Sequence, residues 1–309
     1  MTDTRTGTAP ARVVAHPIEA PLGVGTADSV RRRRRFGWPR RTSAVVGLLI
    51  LGLVVGLALF APLVAPFDPN AQDVTRRLRP PFEPGSPYLL GTDHVGRDVL
   101  SRIVYGTRIA LIVGVAAVAL SGAIGIVLGL LPGYYGGLID DFIGWVGSVE
   151  LAFPFILLAI AVVAVLGSAL GNLIVVLSIV AWVVYARIVR AEVLVQREQE
   201  YVHAARVLGA GDARILFRHV LPNVLTPVIV IATFEVARMI ISEASLSFLS
   251  LGVEPSIPSW GSMLADGRQY LATAWWIATF PGLGIMLTVL AINLVGDWLR
   301  DVLDPRLRT

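Results

Sequence analysis

Residues 200–223 read EYVHAARVLGAGDARILFRHVLPN, a polar and well-patterned stretch set between two long apolar ones. Gly209 and Gly211 break it in the middle, because glycine accepts the left-handed conformation that ends helices. Upstream, Arg187 to Leu208 is predicted to continue as one helix out of the preceding apolar segment. Downstream, Asp212 is placed to cap a second short helix, and Pro222 suits the first turn of the next apolar one. The expected product is a helix–turn–helix knob with Ala204 and Ala205 near its tip. From these residues alone, such a knob and an amphipathic loop resting on lipid headgroups both stay open.

The surroundings identify the solvent. The chain is 55% hydrophobic and only 16% charged over 309 residues, with a mean hydropathy of +0.72. That balance belongs to a bilayer. Six apolar runs are long enough to cross it, near 44–64, 108–131, 143–166, 171–190, 224–247 and 276–296. A helix of about 21 residues covers roughly 31 Å, close to the hydrocarbon thickness. The third and fourth runs are separated only by Gly167–Leu170, which predicts a tight helical hairpin. The fold class is therefore an all-α membrane protein with six transmembrane helices.

All 26 basic residues are arginine and there is no cysteine. This excludes disulfides, thiolate metal sites, a cysteine nucleophile, and a Walker or Schiff-base lysine. With the N-terminus inside, the inner segments hold Arg31 to Arg35, Arg40, Arg41, six arginines from Arg187 to Arg218, Arg300, Arg306 and Arg308, sixteen against six outside. The positive-inside rule then puts both termini and the knob in the cytoplasm. The inner loop expected at 132–141 departs from it, lacking arginine and ending in Asp140-Asp141. The Arg31–Arg35 run reads as a positive-inside stop beside a span and not as a nucleic-acid site. Residues 1–30 have no apolar period and are expected to be a disordered tail. The first apolar run exceeds a usual signal-peptide core and is followed by Pro62 and Pro66, so it is expected to stay as an anchor. The organisation is a basic tail over 1–38, a first span plus outer segment over 39–106, and a five-helix core over 107–309.

Within the spans, Ala117, Ser121, Gly125, Gly129 and Gly133 place a small residue at every fourth position. This ladder lets another helix approach closely, inside the chain or in a second subunit. Glu235, Arg238 and Glu243 are ionisable groups at depth, expected to pair or to line a path; Glu150 is the other deep acid. The four histidines, His16, His94, His203 and His219, are scattered, and no HExxH or GxSxG motif occurs, so no catalytic or metal site is assigned. In the outer segment, Val95, Val99, Ile103 and Val104 predict an amphipathic helix lying at the interface, capped by Thr92 or Asp93.

The run AARVLG at 204–209, followed by a spacer and Leu221-Pro222, resembles the EAA loop of ABC importer permeases. Ala204 and Ala205 match the two alanines, Gly209 the motif glycine, and Leu221 and Pro222 its closing pair; Gly211 falls in the same turn. His203 stands where the motif has glutamate, and His219 where it has a branched aliphatic. LGTDHVGRDVLSRIVYGTRIAL at 90–111, SEASLSFLSLGVEPSIPSWGSMLADGR at 242–268 and NLVGDWLRDVLDPRLR at 293–308 are similar to the C-type subunit of the dipeptide/oligopeptide/nickel subfamily. The resemblance covers the chain from about residue 38.

It implies a type I ABC importer fold in a bacterial cytoplasmic membrane, with the knob as a coupling helix between spans 4 and 5. The implied partners are a homologous B-type permease, two ATPase subunits, an extracytoplasmic solute-binding protein and membrane lipid, without nucleic acid. ATP and magnesium would be bound by the ATPases, not by this chain. The implied cargo is di- or oligopeptide, with nickel, glutathione or oligosaccharide as alternatives. A proton-coupled secondary carrier is the reading from a different class.

Overall fold

The computed structural model describes residue 2 and residues 38–303. The basic tail, the Arg31–Arg35 run, the side chains of Arg40 and Arg41, and Arg306 and Arg308 lie outside the described residues and side chains. Among the described residues there is no strand, and five helices are long and apolar enough to cross a membrane, or six if one bent pair is counted as a single span.

α1 (Trp38–Leu59) stops short of the expected end at 64, and a separate turn, α2 (Ala61–Val64), follows. The cause is Pro62, which cannot donate into a continuing helix. α1 leaves Leu49, Leu53 and Leu59 broadly exposed, as a lipid-facing helix does, and lies along α11 (Trp276–Leu303).

α3 (Val99–Tyr135) is a single helix of 37 residues. This corrects the expected interfacial helix before the second span. Asp93 does not cap it; its carboxylate accepts the Val95 and Arg97 amides in a tight turn. Asp98 is the cap, accepting from the Ser101 amide at 2.8 Å and the Ser101 hydroxyl at 2.6 Å. Burial pushes the Asp98 carboxyl up from its ordinary value against those bonds. Val99 and Val104 are buried, so they begin the span and do not face an interface.

The expected inner loop at 132–141 shrinks to Gly136, since α4 (Gly137–Leu151) follows at once. The third span is also not continuous. α4 and α5 (Phe155–Leu166) meet at 91°. Pro154 lacks an amide hydrogen and disfavours the helical conformation at the residue before it, and the helix breaks there. α4 is tied to α6 (Leu170–Gln196) by charge: Arg190 donates to Asp140 at 2.6 Å, and the Trp182 indole donates to Glu150 at 2.6 Å. α5 and α6 form the hairpin predicted at 167–170.

The small-residue ladder of α3 packs inside the chain, against α6. A methyl on Gly129 would lie 2.5 Å from the Ala186 carbonyl oxygen, and one on Gly133 would lie 2.8 Å from the Val193 Cβ. On Gly125 it would collide with Tyr185. At the same seam the Ser178 hydroxyl donates to the Ala117 carbonyl at 3.2 Å. α9 (Leu221–Phe248) completes this core, in which Val113, Leu177, Tyr185 and Met239 are buried together.

The chain thus alternates between two ends of a bundle. One carries the segment between α6 and α9, the knob face. The other carries the segments 65–98 and 249–275, the loop face, where α10 (Trp260–Gly267) starts at a Ser259/Ser262 capping box. The loop face is stitched down by two indoles, Trp260 to the Ile103 carbonyl and Trp276 to the Thr92 carbonyl, both at 3.1 Å.

Candidate functional site

α6 does not run on to Leu208 as expected. It ends at Gln196, and a turn through Gln199 re-aims the chain into α7 (Glu200–Val207). After the turn Val202 is buried and Ala205 and Ala210 pack on the core. Arg197, at the turn, donates to the Gly133 carbonyl at 3.0 Å and lies 3.4 Å from the Tyr134 carbonyl. A cation is thereby set at the C-terminal end of α3, where unpaired carbonyls concentrate negative charge.

The stop at Gly209 is as predicted. Its φ is +83°; its amide donates to the Arg206 carbonyl at 2.9 Å, and the Ala210 amide to the Ala205 carbonyl at 3.0 Å. This bond pair is the Schellman closure, which needs a left-handed residue between its donors. Gly211 then starts α8 (Asp212–Arg214). Asp212 is not the cap expected of it. It is the first helical residue, and its carboxylate accepts a 2.7 Å hydrogen bond from the Tyr134 hydroxyl. Arg206 stands 5.7 Å over the Tyr134 ring, and its contact with the Tyr134 hydroxyl holds the guanidinium above its ordinary pKa.

The helix continues through a π-helical turn, Ile215–Val220, into α9. Pro222 cannot donate to a carbonyl one turn back, and its ring crowds that carbonyl, so the wider turn is relieved there. Leu221 and Pro222 thus stand at the junction between the knob and the span. His203 and Ala204 point outward, with the His203 Nε2 3.9 Å from Glu198. Val207 and Leu208 are 87% and 86% exposed, which gives the knob an apolar tip.

The three ionisable residues of α9 separate into two sites. Glu235 accepts from Arg238 Nε at 2.8 Å and Nη2 at 2.6 Å. Glu243 is fully buried and accepts from the Ser247 hydroxyl at 2.6 Å. Sequence reasoning missed a third charged cluster, on the loop face. Arg97 donates to Asp93 at 2.6 Å and to Asp266 at 3.0 Å. Arg102, buried, stands 4.0 Å from Asp93 and 3.9 Å from Asp266. Ligand atoms of Asp93, His94 and Asp266 converge as a cation site would. The two guanidiniums already supply the positive charge there, so the cluster reads as a latch between the loop segments. Tyr134 and Arg197 were also missed; an aromatic just after Pro132 is the one signal that pointed to the former.

This arrangement of spans, with a capped knob before the fifth, is the fold of ABC importer permeases. A solved MetNI methionine ABC transporter chain superposes with a TM-score of 0.51 at 18% identity, over 67% of this chain and 96% of that one. Residues 125–309 match the family described as binding-protein-dependent transport system inner membrane component, and 38–81 match the N-terminal TM domain of oligopeptide transport permease C. The chain belongs to the binding-protein-dependent transport system inner membrane component family.

Among its relatives, the dipeptide transport system permease protein DppC of Escherichia coli K12 is 48% identical over 272 residues, 87% of this chain and 91% of that protein. The di/tripeptide permease DppC of Pseudomonas aeruginosa is 47% identical over 86% of this chain and 88% of its own length. The glutathione permease GsiD of Pectobacterium atrosepticum is 43% identical over 94% and 97%. The chain is therefore an integral inner-membrane permease subunit of a transport system.

Proposed function

We propose that this chain forms one half of the translocation pore of an ATP-driven importer of di- and oligopeptides. The observation that carries this is the knob: a short helix closed by Gly209, tipped by Val207 and Leu208, and bonded through Tyr134 to the end of α3. A protruding apolar tip fixed to a span is a device for receiving force from a partner. The chain has no lysine for a nucleotide-binding motif, so hydrolysis belongs to two separate ATPase subunits, which bind the ATP and magnesium. His203, Ala204, Ala205, Gly209, Gly211, Leu221 and Pro222 form the coupling element. The arginine asymmetry supports a cytoplasmic knob face and cytoplasmic termini.

A homologous B-type permease supplies the other half of the pore, and a solute-binding protein delivers cargo to the loop face. Peptide cargo is supported by the names of the relatives, the glutathione system included. ATP-driven approach of the ATPases would move the two knobs together and shift the pore between its two states. The experiment is uptake into liposomes holding the complete complex. Peptide uptake is expected only with ATP, the ATPases and the loaded binding protein; gradient-driven uptake by this chain alone overturns the proposal in favour of a secondary carrier.

A further inference from the structure

Arg238 lies ten residues before the loop-face end of α9 at Phe248, which is about 15 Å along the axis. That is near the middle of a hydrocarbon layer about 30 Å thick. A guanidinium at that depth is costly unless it faces a protein or water-filled path. Yet its side chain is 47% exposed, while its partner Glu235 is only 11% exposed. Glu235 takes Nε and Nη2 on one oxygen and turns the rest of the planar group outward.

It turns toward a cavity of about 250 Å³ walled by Phe155, Leu177, Ala181 and Met239, with Ser242 one turn further along. Phe155 is the first residue of α5, at the 91° break of the third span. Interrupted helices at membrane depth are tolerated where they line a cavity. Two separate departures from lipid-facing structure, a broken span and a half-bare charge, therefore meet at one hollow. A second hollow of about 360 Å³ opens nearer the loop face, lined by Ile241, Ser245, Phe248 and Ile285. Positions 238, 241, 245 and 248 share one face of α9, so an apolar surface precedes the charge on the way in.

We infer that Arg238 is a carboxylate-binding residue of the translocation path, taking the free C-terminal carboxylate of a peptide while its side chains lie against the apolar part of α9. The inference rests on the peptide-importer reading. A guanidinium presents paired donors to a carboxylate. Glu235 acts as a positioning residue: it fixes the fork and offsets part of the charge, so that cargo is held weakly enough to leave, as conduction requires.

The test uses the complete complex in liposomes and compares uptake of one dipeptide with that of its C-terminal amide. The binding protein is the same throughout, so a change in the acid-to-amide ratio belongs to the permease. Arg238→Gln is expected to lower uptake of the free acid about tenfold, the size of one charge-assisted hydrogen bond, and to leave the amide little changed. Arg238→Lys is expected to fall between, having charge without the fork. Glu235→Gln is expected to raise the apparent affinity for the acid and slow its maximal rate, a split that loss of structure alone would not give. An unchanged ratio in Arg238→Gln, or equal losses of acid and amide, overturns the inference. Should that variant fail to assemble, Arg238→Lys decides: a lowered ratio supports the assignment and a wild-type ratio overturns it. If the wild-type complex takes up neither peptide, the importer reading itself has failed and the inference goes with it, a result visible before any variant is compared.

Discussion

The Tyr134 hydroxyl donates a 2.7 Å hydrogen bond to the Asp212 carboxylate, joining the end of α3 to the far limb of the knob. The contact links elements 78 residues apart, and Arg206 and Arg197 gather on the same side. In the proposed coupling role, force applied at Val207 and Leu208 would have two routes into the membrane, one along α9 and one along α3.

Tyr134→Phe removes the second route without changing the ring. It is expected to cost about 1 kcal/mol, as for one hydrogen bond at a partly exposed site. Peptide taken up per ATP hydrolysed should fall, because hydrolysis continues while the knob slips. Asp212→Asn keeps an acceptor and should be milder. Parallel measurement of uptake and hydrolysis checks both; unchanged stoichiometry in Tyr134→Phe would remove Tyr134 from the coupling route.

Gly209→Pro cannot adopt φ +83° and also deletes the amide that reaches the Arg206 carbonyl. Transport is expected to be lost with the complex still in the membrane. Gly209→Ala should cost about 1–2 kcal/mol, the penalty of a side chain in the left-handed region, and Gly209→Asn less. Membrane fractionation with co-purification, beside uptake, separates loss of coupling from loss of assembly.

Gly129→Ala should act in the seam between α3 and α6. Its methyl would stand 2.5 Å from the Ala186 carbonyl oxygen, an overpacking expected to cost about 1–3 kcal/mol. At Gly122 the corresponding methyl would meet Tyr185 at 3.8 Å, an ordinary contact, so Gly122→Ala should be neutral. Thermal unfolding of the purified complex compares the two.

On the loop face, Arg97→Ala leaves Asp93 buried without its nearest cation and should cost about 3 kcal/mol. Asp266→Asn should cost less, since Asp266 is a third exposed. Because guanidiniums already stand between these carboxylates, calcium and chelators are expected to leave the unfolding midpoint where it is. A midpoint that rises with calcium would reassign the cluster as a metal site.

What could be read in advance was what local chemistry decides. Apolar length marks the crossings, and Gly209 marks the stop of α7, because neither needs a distant partner. The errors share a cause. Thr92 and Asp93 are the caps expected for this helix, but α3 starts at Val99 and Asp98, next to it, accepts the Ser101 amide; Asp93 is instead held by Arg97, which also reaches Asp266, 169 residues away. Asp212 has the composition of a cap, and a tyrosine from another helix claims it. Pro154 stands in the third span, but the largely apolar residues on both sides of it read as one crossing and concealed the bend. Of the three α9 ionisable residues, the spacing of three joined Glu235 to Arg238, while the burial of Glu243 against Ser247 was not legible.

The length of α3 carries a mechanical consequence. Its 37 residues make a rod of about 55 Å, longer than the bilayer core is thick. Arg102 anchors one end to the latch, and Tyr134 anchors the other to the knob. A long helix transmits displacement along its axis, so in the proposed coupling role a movement of the knob would reach the latch through α3. Pro132, in the last turn, removes one hydrogen bond just before the knob attachment. In the proposed coupling role the strut would be stiff along the membrane and more compliant at the end joined to the knob.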